Sequence, residues 1–124
     1  DTNFSVDFMS KHSEKYNQLK NNRKYIEVIA AQEVEISKRK QCLVPESKIV
    51  ATEDQLKDGD ILGITTNIQG LDIQHVVLAF RKNGRIYMLH ASQKYMKVLV
   101  SDETLEDYLK AAKSATGIVV ARPY

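Results

Sequence analysis

The sequence predicts an α+β protein: N-terminal helices, then a mostly antiparallel sheet of about five strands with one helix inserted before the last of them. Three observations carry that class. Residues 23–40 place apolar side chains at helical spacing, residues 61–100 break into short runs rich in strand formers, and Asn83-Gly84 joins two of those runs. Asn-Gly supplies both positive-φ positions of a two-residue hairpin loop, so the runs on either side should pair antiparallel.

Taken in order, residues 1–24 are polar with anchors at Phe4, Phe8, Met9, Tyr16 and Leu19, which suggests short helical turns over 5–11 and 13–20. Asn21-Asn22 marks a turn. His12 lies in this polar segment with no set of neighbouring ligands and reads as a solvated surface histidine. The helix over 23–40 presents Tyr25, Val28, Ile29, Gln32 and Ile36 on one face, and its acidic residues precede Lys38-Arg39-Lys40, the order the helix dipole favours. Pro45 prevents continuation, leaving 41–46 as a connector. Cys42 sits there with no base or helix N-terminus beside it, which predicts a buried, inert thiol.

Ile49-Val50-Ala51 reads as a short strand, and Asp58-Gly59-Asp60 as a turn into a strand over 61–66. Residues 67–72 form a loop in which Gly70 takes the special φ. The hairpin strands follow at 74–81 and 85–91, then a turn at 93–96 and a strand at 97–100. A helix over 102–112 is capped by Ser101 or Asp102, and a last strand runs over 118–122 to Pro123.

The bulk properties limit the function classes. A chain of 124 residues, 43% hydrophobic and 27% charged, fits a single domain. Its net charge of +2 is spread without a basic stripe, which argues against nucleic acid as a partner. No apolar run approaches the ~20 residues of a transmembrane segment. The chain opens on Asp1-Thr2-Asn3-Phe4 without an initiator Met, which suggests a processed or excised piece. Cys42 is the sole cysteine, so no internal disulfide can form.

The chemistry-bearing residues concentrate in the hairpin. With Asn83-Gly84 as the loop, Lys82 faces Arg85; counting outward opposes Val77 to His90 and His75 to Ser92. His75 and His90 then become diagonal neighbours on one face, roughly 7–8 Å apart at the backbone. That face carries His75, Val77, Ala79, Met88, His90 and Ser92; the opposite face carries Val76, Leu78, Phe80, Tyr87, Leu89 and Ala91. Both are apolar, so each should be covered, with the histidine face the better candidate for a cleft. Two adjacent histidines can supply a general base and the group that orients it. A zinc site is the competing chemistry, needing a third ligand such as Asp72 or Cys42; no close-spaced ligand motif is present, and neither a metal nor a cofactor is expected.

The run Gly59-Asp60-Ile61-Leu62, then Thr65 to Asp72 (TTNIQGLD), His75-Val76 and Leu89-His90-Ala91-Ser92 resembles a bacterial N-acetylmuramoyl-L-alanine-amidase-like group within the NlpC-type, papain-like cell-wall cysteine hydrolases. Phe8-Met9-Ser10, Leu19 to Asn22, Ser101-Asp102-Glu103, Tyr108-Leu109 and Thr116-Gly117-Ile118 extend the resemblance over essentially the whole chain. The resemblance implies a Cys–His–His triad that cuts peptide bonds, with His75 as base and His90 as orienting residue. It implies that Thr66, Asn67, Asp72 and Ser92, with Thr65, line the groove for a peptidoglycan stem peptide, in an extracytoplasmic (periplasmic or secreted) protein. The group's nucleophile lies in an Asp-Cys-type motif upstream of the matching segment, and Cys42 does not correspond to it. The resemblance therefore implies that residues 1–124 are the C-terminal portion of a larger hydrolase domain, inactive without the N-terminal segment that bears the cysteine. The alternative is a non-catalytic relative that binds cell-wall peptides.

Overall fold

The computed structural model describes residues 1–123, which divide into two compact units. The first comprises residues 1–42 and 67–72. It holds strand β1 (Thr2–Asn3), helix α1 (Phe8–Lys11), a 3₁₀ turn at Ser13–Lys15, helix α2 (Arg23–Ser37) and strand β2 (Lys40–Gln41). The Asn22 side chain caps α2 by accepting the Tyr25 N–H at 3.1 Å. The helix ends at Ser37, short of the expected residue 40, because Lys40 and Gln41 pair with Asn3 and Thr2. Its inward face also differs from expectation. Ile29, Glu33 and Ile36 turn inward, whereas Tyr25 and Val28 are about half exposed.

The loop at 67–72 serves as an anchor within this unit. The Gly70 carbonyl accepts the N–H groups of Asp7 and Phe8, both at 2.9 Å, which satisfies donors at the start of α1. Gly70 has φ +82°, a conformation that side-chain-bearing residues rarely adopt, and a Cβ there would displace the Asp7 carboxylate. Cys42 is exposed, not buried as the sequence suggested, because the connector after β2 runs over the surface.

The second unit, Leu43–Thr66 and Ile73 onward, is built on a six-stranded sheet in the order β3-β8-β4-β5-β6-β7. The strands are β3 (Val44–Pro45), β4 (Ile61–Thr66), β5 (Ile73–Lys82), β6 (Arg85–Ser92), β7 (Lys97–Val100) and β8 (Ala115–Ala121), and the described pairings are antiparallel. Ile49-Val50-Ala51 is not a strand. It belongs to helix α3 (Ile49–Thr52), flanked by 3₁₀ turns at Glu46–Lys48 and Glu53–Gln55, and buries Ile49 completely. Helix α4 spans Leu105–Ala111, and its cap is Thr104, whose hydroxyl accepts the Asp107 N–H at 3.2 Å. Ser101, expected as a cap, is instead buried; its hydroxyl accepts the Met88 N–H at 3.0 Å and donates to the Glu103 carbonyl at 2.7 Å.

The hairpin forms as predicted, with Asn83 at φ +53° and Gly84 at φ +77°. Its ladder runs from Lys82–Arg85 to Leu78–Leu89. The expected Val77–His90 and His75–Ser92 oppositions lie beyond that end and are not ladder pairs. The core lies on one side of the sheet, where Leu62, Ile64, Val77, Ala79, Ile86, Met88 and Ile118 pack with Ile49, Leu56, Leu105 and Leu109. The expectation that both hairpin faces are covered therefore fails. The histidine face is the core face, and Val76, Leu78 and Phe80 on the other side are exposed.

Candidate functional site

His75 and His90 stand at the polar end of the core face. Two local devices put them there. On β5, the β4–β5 register shifts between Ile64 and Thr65, so Ile64 pairs with His75 and Thr65 with Ile73, leaving Gln74 as the extra residue. On β6, His90 pairs with Leu99 of β7, after the hairpin ladder has ended. The side chains then meet directly: His75 Nε2 and His90 Nδ1 are 2.8 Å apart, and the rings are nearly perpendicular at 75°. This contact is a hydrogen bond, so one of the two nitrogens must carry a proton and the other a lone pair.

Tyr108 of α4 packs against both imidazoles, with ring centroids 6.5 Å from His75 and 6.3 Å from His90. Burial, and secondarily the nearby His90, holds His75 below the usual histidine pKa, so its neutral form prevails at neutral pH. Burial, with Glu103 second, pushes the Tyr108 phenol up, which keeps it protonated and a potential donor.

The pair opens onto an open cleft of about 600 Å³ lined by Gln74, His75, Val76, His90, Ala91, Ser92, Gln93, Lys94 and Tyr108. A second cleft of about 700 Å³ shares His90, Ser92, Lys94 and Tyr108 and adds Asp102, Glu103 and Asp107. Among the expected site residues, His75, His90 and Ser92 come together in the first cleft. Thr66 does not line either cleft; it is buried in β4, paired with Ala115. Asn67 and Asp72 belong to the other compact unit. Thr65 is also buried, its hydroxyl 2.7 Å from that of Thr116. Tyr108 and Gln74 also line the cleft, and no signal in the sequence assigns them to it. Tyr108 reads there as one more apolar position of a helix, and Gln74 reaches the cleft only through the bulge. Gln74 accepts a hydrogen bond from the Ser114 hydroxyl at 2.7 Å.

Among the described residues, no group of three or more His, Cys, Asp or Glu side chains is arranged to share a metal ion. Nor is any helix among them long and apolar enough to cross a membrane.

Residues 2–118 match the AmiA-like family, described as N-acetylmuramoyl-L-alanine amidase-like. The chain belongs to this family. Solved structures similar to this amidase-like chain include an N-acetylmuramoyl-L-alanine amidase from Bacteroides uniformis ATCC 8492, at 35% identity and a TM-score of 0.90. That match covers 98% of this chain and 52% of the other. A protein from Bacteroides fragilis, provisionally described as a xylanase, is 36% identical with a TM-score of 0.90, over 98% of this chain and 54% of its own. The chain thus spans about half the length of these solved relatives. A search of curated proteins finds no significant match.

Proposed function

We propose that this chain is the C-terminal portion of an NlpC-type, papain-like cysteine hydrolase that cuts peptide or amide bonds in peptidoglycan outside the cytoplasm. The observation that carries the reading is the 2.8 Å bond between His75 and His90 at the wall of a cleft. When His75 Nε2–H donates to His90 Nδ1, the Nδ1 lone pair of His75 is left free to act as base. A cysteine thiol from a segment outside these 124 residues would pass its proton to that nitrogen, and the thiolate would attack the scissile carbonyl. The imidazolium would then protonate the leaving amine, and water, deprotonated by His75, would release the acyl group. Ser92 and Gln74 line the space the stem peptide would occupy.

The name of the Bacteroides fragilis neighbour suggests glycoside hydrolysis instead. That chemistry uses two carboxyl groups flanking the bond. The bonded histidine pair at the cleft wall supplies the base and orienting group of amide chemistry, whereas Asp102, Glu103 and Asp107 line the adjoining cleft.

A chain extended to include the cysteine-bearing segment should release new amino groups from purified peptidoglycan. His75→Ala should reduce that rate by at least ~10²-fold, the usual contribution of a positioned general base. Normal activity in His75→Ala would refute the assignment. A second reading is a non-catalytic module for wall peptides, since the chain's single cysteine, Cys42, lies on an exposed connector and not on a helix N-terminus. Binding of soluble muropeptides by an extended chain that shows no turnover would select it.

A further inference from the structure

Consecutive residues of a regular strand face opposite sides of the sheet. Gln74 and His75 are consecutive, yet both line the histidine cleft. The register shift between β4 and β5 falls here and leaves Gln74 as the extra residue, and bulges of this kind re-aim side chains beside functional sites. The Gln74 carboxamide is also held. Ser114, immediately ahead of β8, donates its hydroxyl proton to Gln74 Oε1 at 2.7 Å. That bond occupies the acceptor end of the amide; the other end, Nε2, carries N–H donors that no described residue accepts. Ser92 of β6 is arranged alike. Its Oγ accepts the Tyr95 N–H at 3.2 Å, which leaves the hydroxyl proton to donate. Lys94 adds an ammonium group to the same cleft. The walls around the histidine pair therefore offer protons, and the ligand group that answers them is a carbonyl oxygen.

We propose that Gln74 reads the substrate of this site: its Nε2–H group donates to a backbone carbonyl oxygen of the bound wall peptide, and Ser114 is the positioning residue that keeps the carboxamide turned that way. The inference rests on the cysteine-hydrolase reading above for the identity of the ligand. A peptide carries one carbonyl acceptor per residue, regularly spaced along its backbone. Holding one of them beside His75 sets the register of the peptide in the cleft, and with it which amide bond meets the base. A purely structural carboxamide would use its donors as well as its acceptor inside the protein, and here only the acceptor is used. A substrate that closes over the cleft strips water from the remaining donor. Pairing that donor then separates ligands that present an acceptor at this point from ligands that do not.

The test compares two substitutions in the chain extended by its flanking coding sequence, with soluble muropeptides released from peptidoglycan by a muramidase as the probe. Gln74→Glu keeps an oxygen for the Ser114 hydroxyl but replaces the N–H donors by an acceptor; Gln74→Met, close in size, removes both. If Gln74 donates to the peptide, kcat/KM for the release of amino groups should fall at least fivefold in each, about the worth of one neutral hydrogen bond. A smaller fall in either variant overturns the donor role, and Gln74→Glu retaining activity while Gln74→Met loses it identifies an acceptor instead. Thermal midpoints establish that both variants fold, and if Gln74→Glu does not, Gln74→Met decides. Ser114→Ala should lower kcat/KM in the wild-type background and cause no further loss in Gln74→Met, because its action passes through the carboxamide. Losses that add would overturn the positioning role. An extended wild-type chain with no turnover sinks the hydrolase reading and moves the same comparison to binding. Muropeptide Kd should then rise at least fivefold in both Gln74 variants; a smaller rise, or no binding by the wild type, overturns the inference.

Discussion

Replacing Asp60 by Asn should destabilise the sheet unit at neutral pH and cease to matter in acid. Asp60 precedes β4 and is 1% exposed. Its two carboxylate oxygens accept the Nε–H and an Nη–H of Arg122, each at 2.7 Å, and one also accepts the Lys57 N–H at 2.8 Å. The bond from Arg122, outweighing the opposing effect of burial, lowers the Asp60 pKa from 3.8 to about 2. A folded value below the unfolded one means that the unfolded chain takes up the proton first as pH falls. The stabilisation is therefore complete above about pH 4 and lost on approach to about pH 2. A fall of this size corresponds to roughly 2 kcal/mol, and solvent around the half-exposed Arg122 reduces the expected share to about 1 kcal/mol. With urea m-values of ~1–3 kcal/mol/M, Asp60→Asn should lower the midpoint by a few tenths of a molar to about 1 M at pH 7. The difference from wild type should shrink steadily in urea titrations between pH 4 and pH 2.5. A pH-independent difference, or none at pH 7, would refute the assignment of that stability to the Asp60–Arg122 pair.

Two other perturbations test the core and the site. Glu53 is buried, and its carboxylate accepts the buried Ile86 N–H and the Arg85 Nε–H, both at 3.1 Å. Glu53→Ala strands that N–H at the start of β6 and should cost about 2–4 kcal/mol, seen as a fall in Tm of around 10 °C; a change below 2 °C would show that water replaces the carboxylate without penalty. NMR titration should place His75 below the ordinary value of 6.5, and His90→Ala should move it back upward by removing some of its burial and, secondarily, the neighbouring imidazole. Since the folded value is the lower one, this histidine favours the folded state above pH 6.5 and progressively less as pH falls toward its folded pKa. An unchanged or lower His75 value in His90→Ala would rule out that origin of the shift.

Much of the sheet was readable because its signals are local. The strands at 61–66 and 97–100 appear where their composition puts them, and Asn83-Gly84 fixes the hairpin register by itself. What was not readable depends on neighbours far along the chain. Ile49-Val50-Ala51 has strand-forming side chains, yet it becomes helical and buries Ile49 in the core. Ser101 looks like a cap, but β6 claims its hydroxyl through the Met88 N–H, and Thr104 caps in its place. On α2, the apolar residues span more than one possible stripe, and only the contacts made by α1 and the 67–72 loop decide that Glu33 turns inward and Tyr25 does not. The histidine partnership was legible as proximity. Its hydrogen bond was not, because the counting assumed a ladder that continues past Leu78–Leu89.

That early end of the ladder bears on how the pair could work. Strands still locked by backbone bonds would hold residues 75 and 90 as diagonal neighbours roughly 7–8 Å apart, a span that aromatic side chains can bridge. Past the last ladder pair, the β5 bulge at Gln74 and the β6–β7 pairing set the two positions separately, and the side chains close the remaining gap to 2.8 Å. The bond itself uses one ring proton, with one imidazole donating and the other accepting. Tyr108 packs against both rings from the α4 side, and all three side chains line the cleft. A base held this way needs no carboxylate to set its tautomer; the second histidine does so, provided its own outer nitrogen keeps the complementary proton.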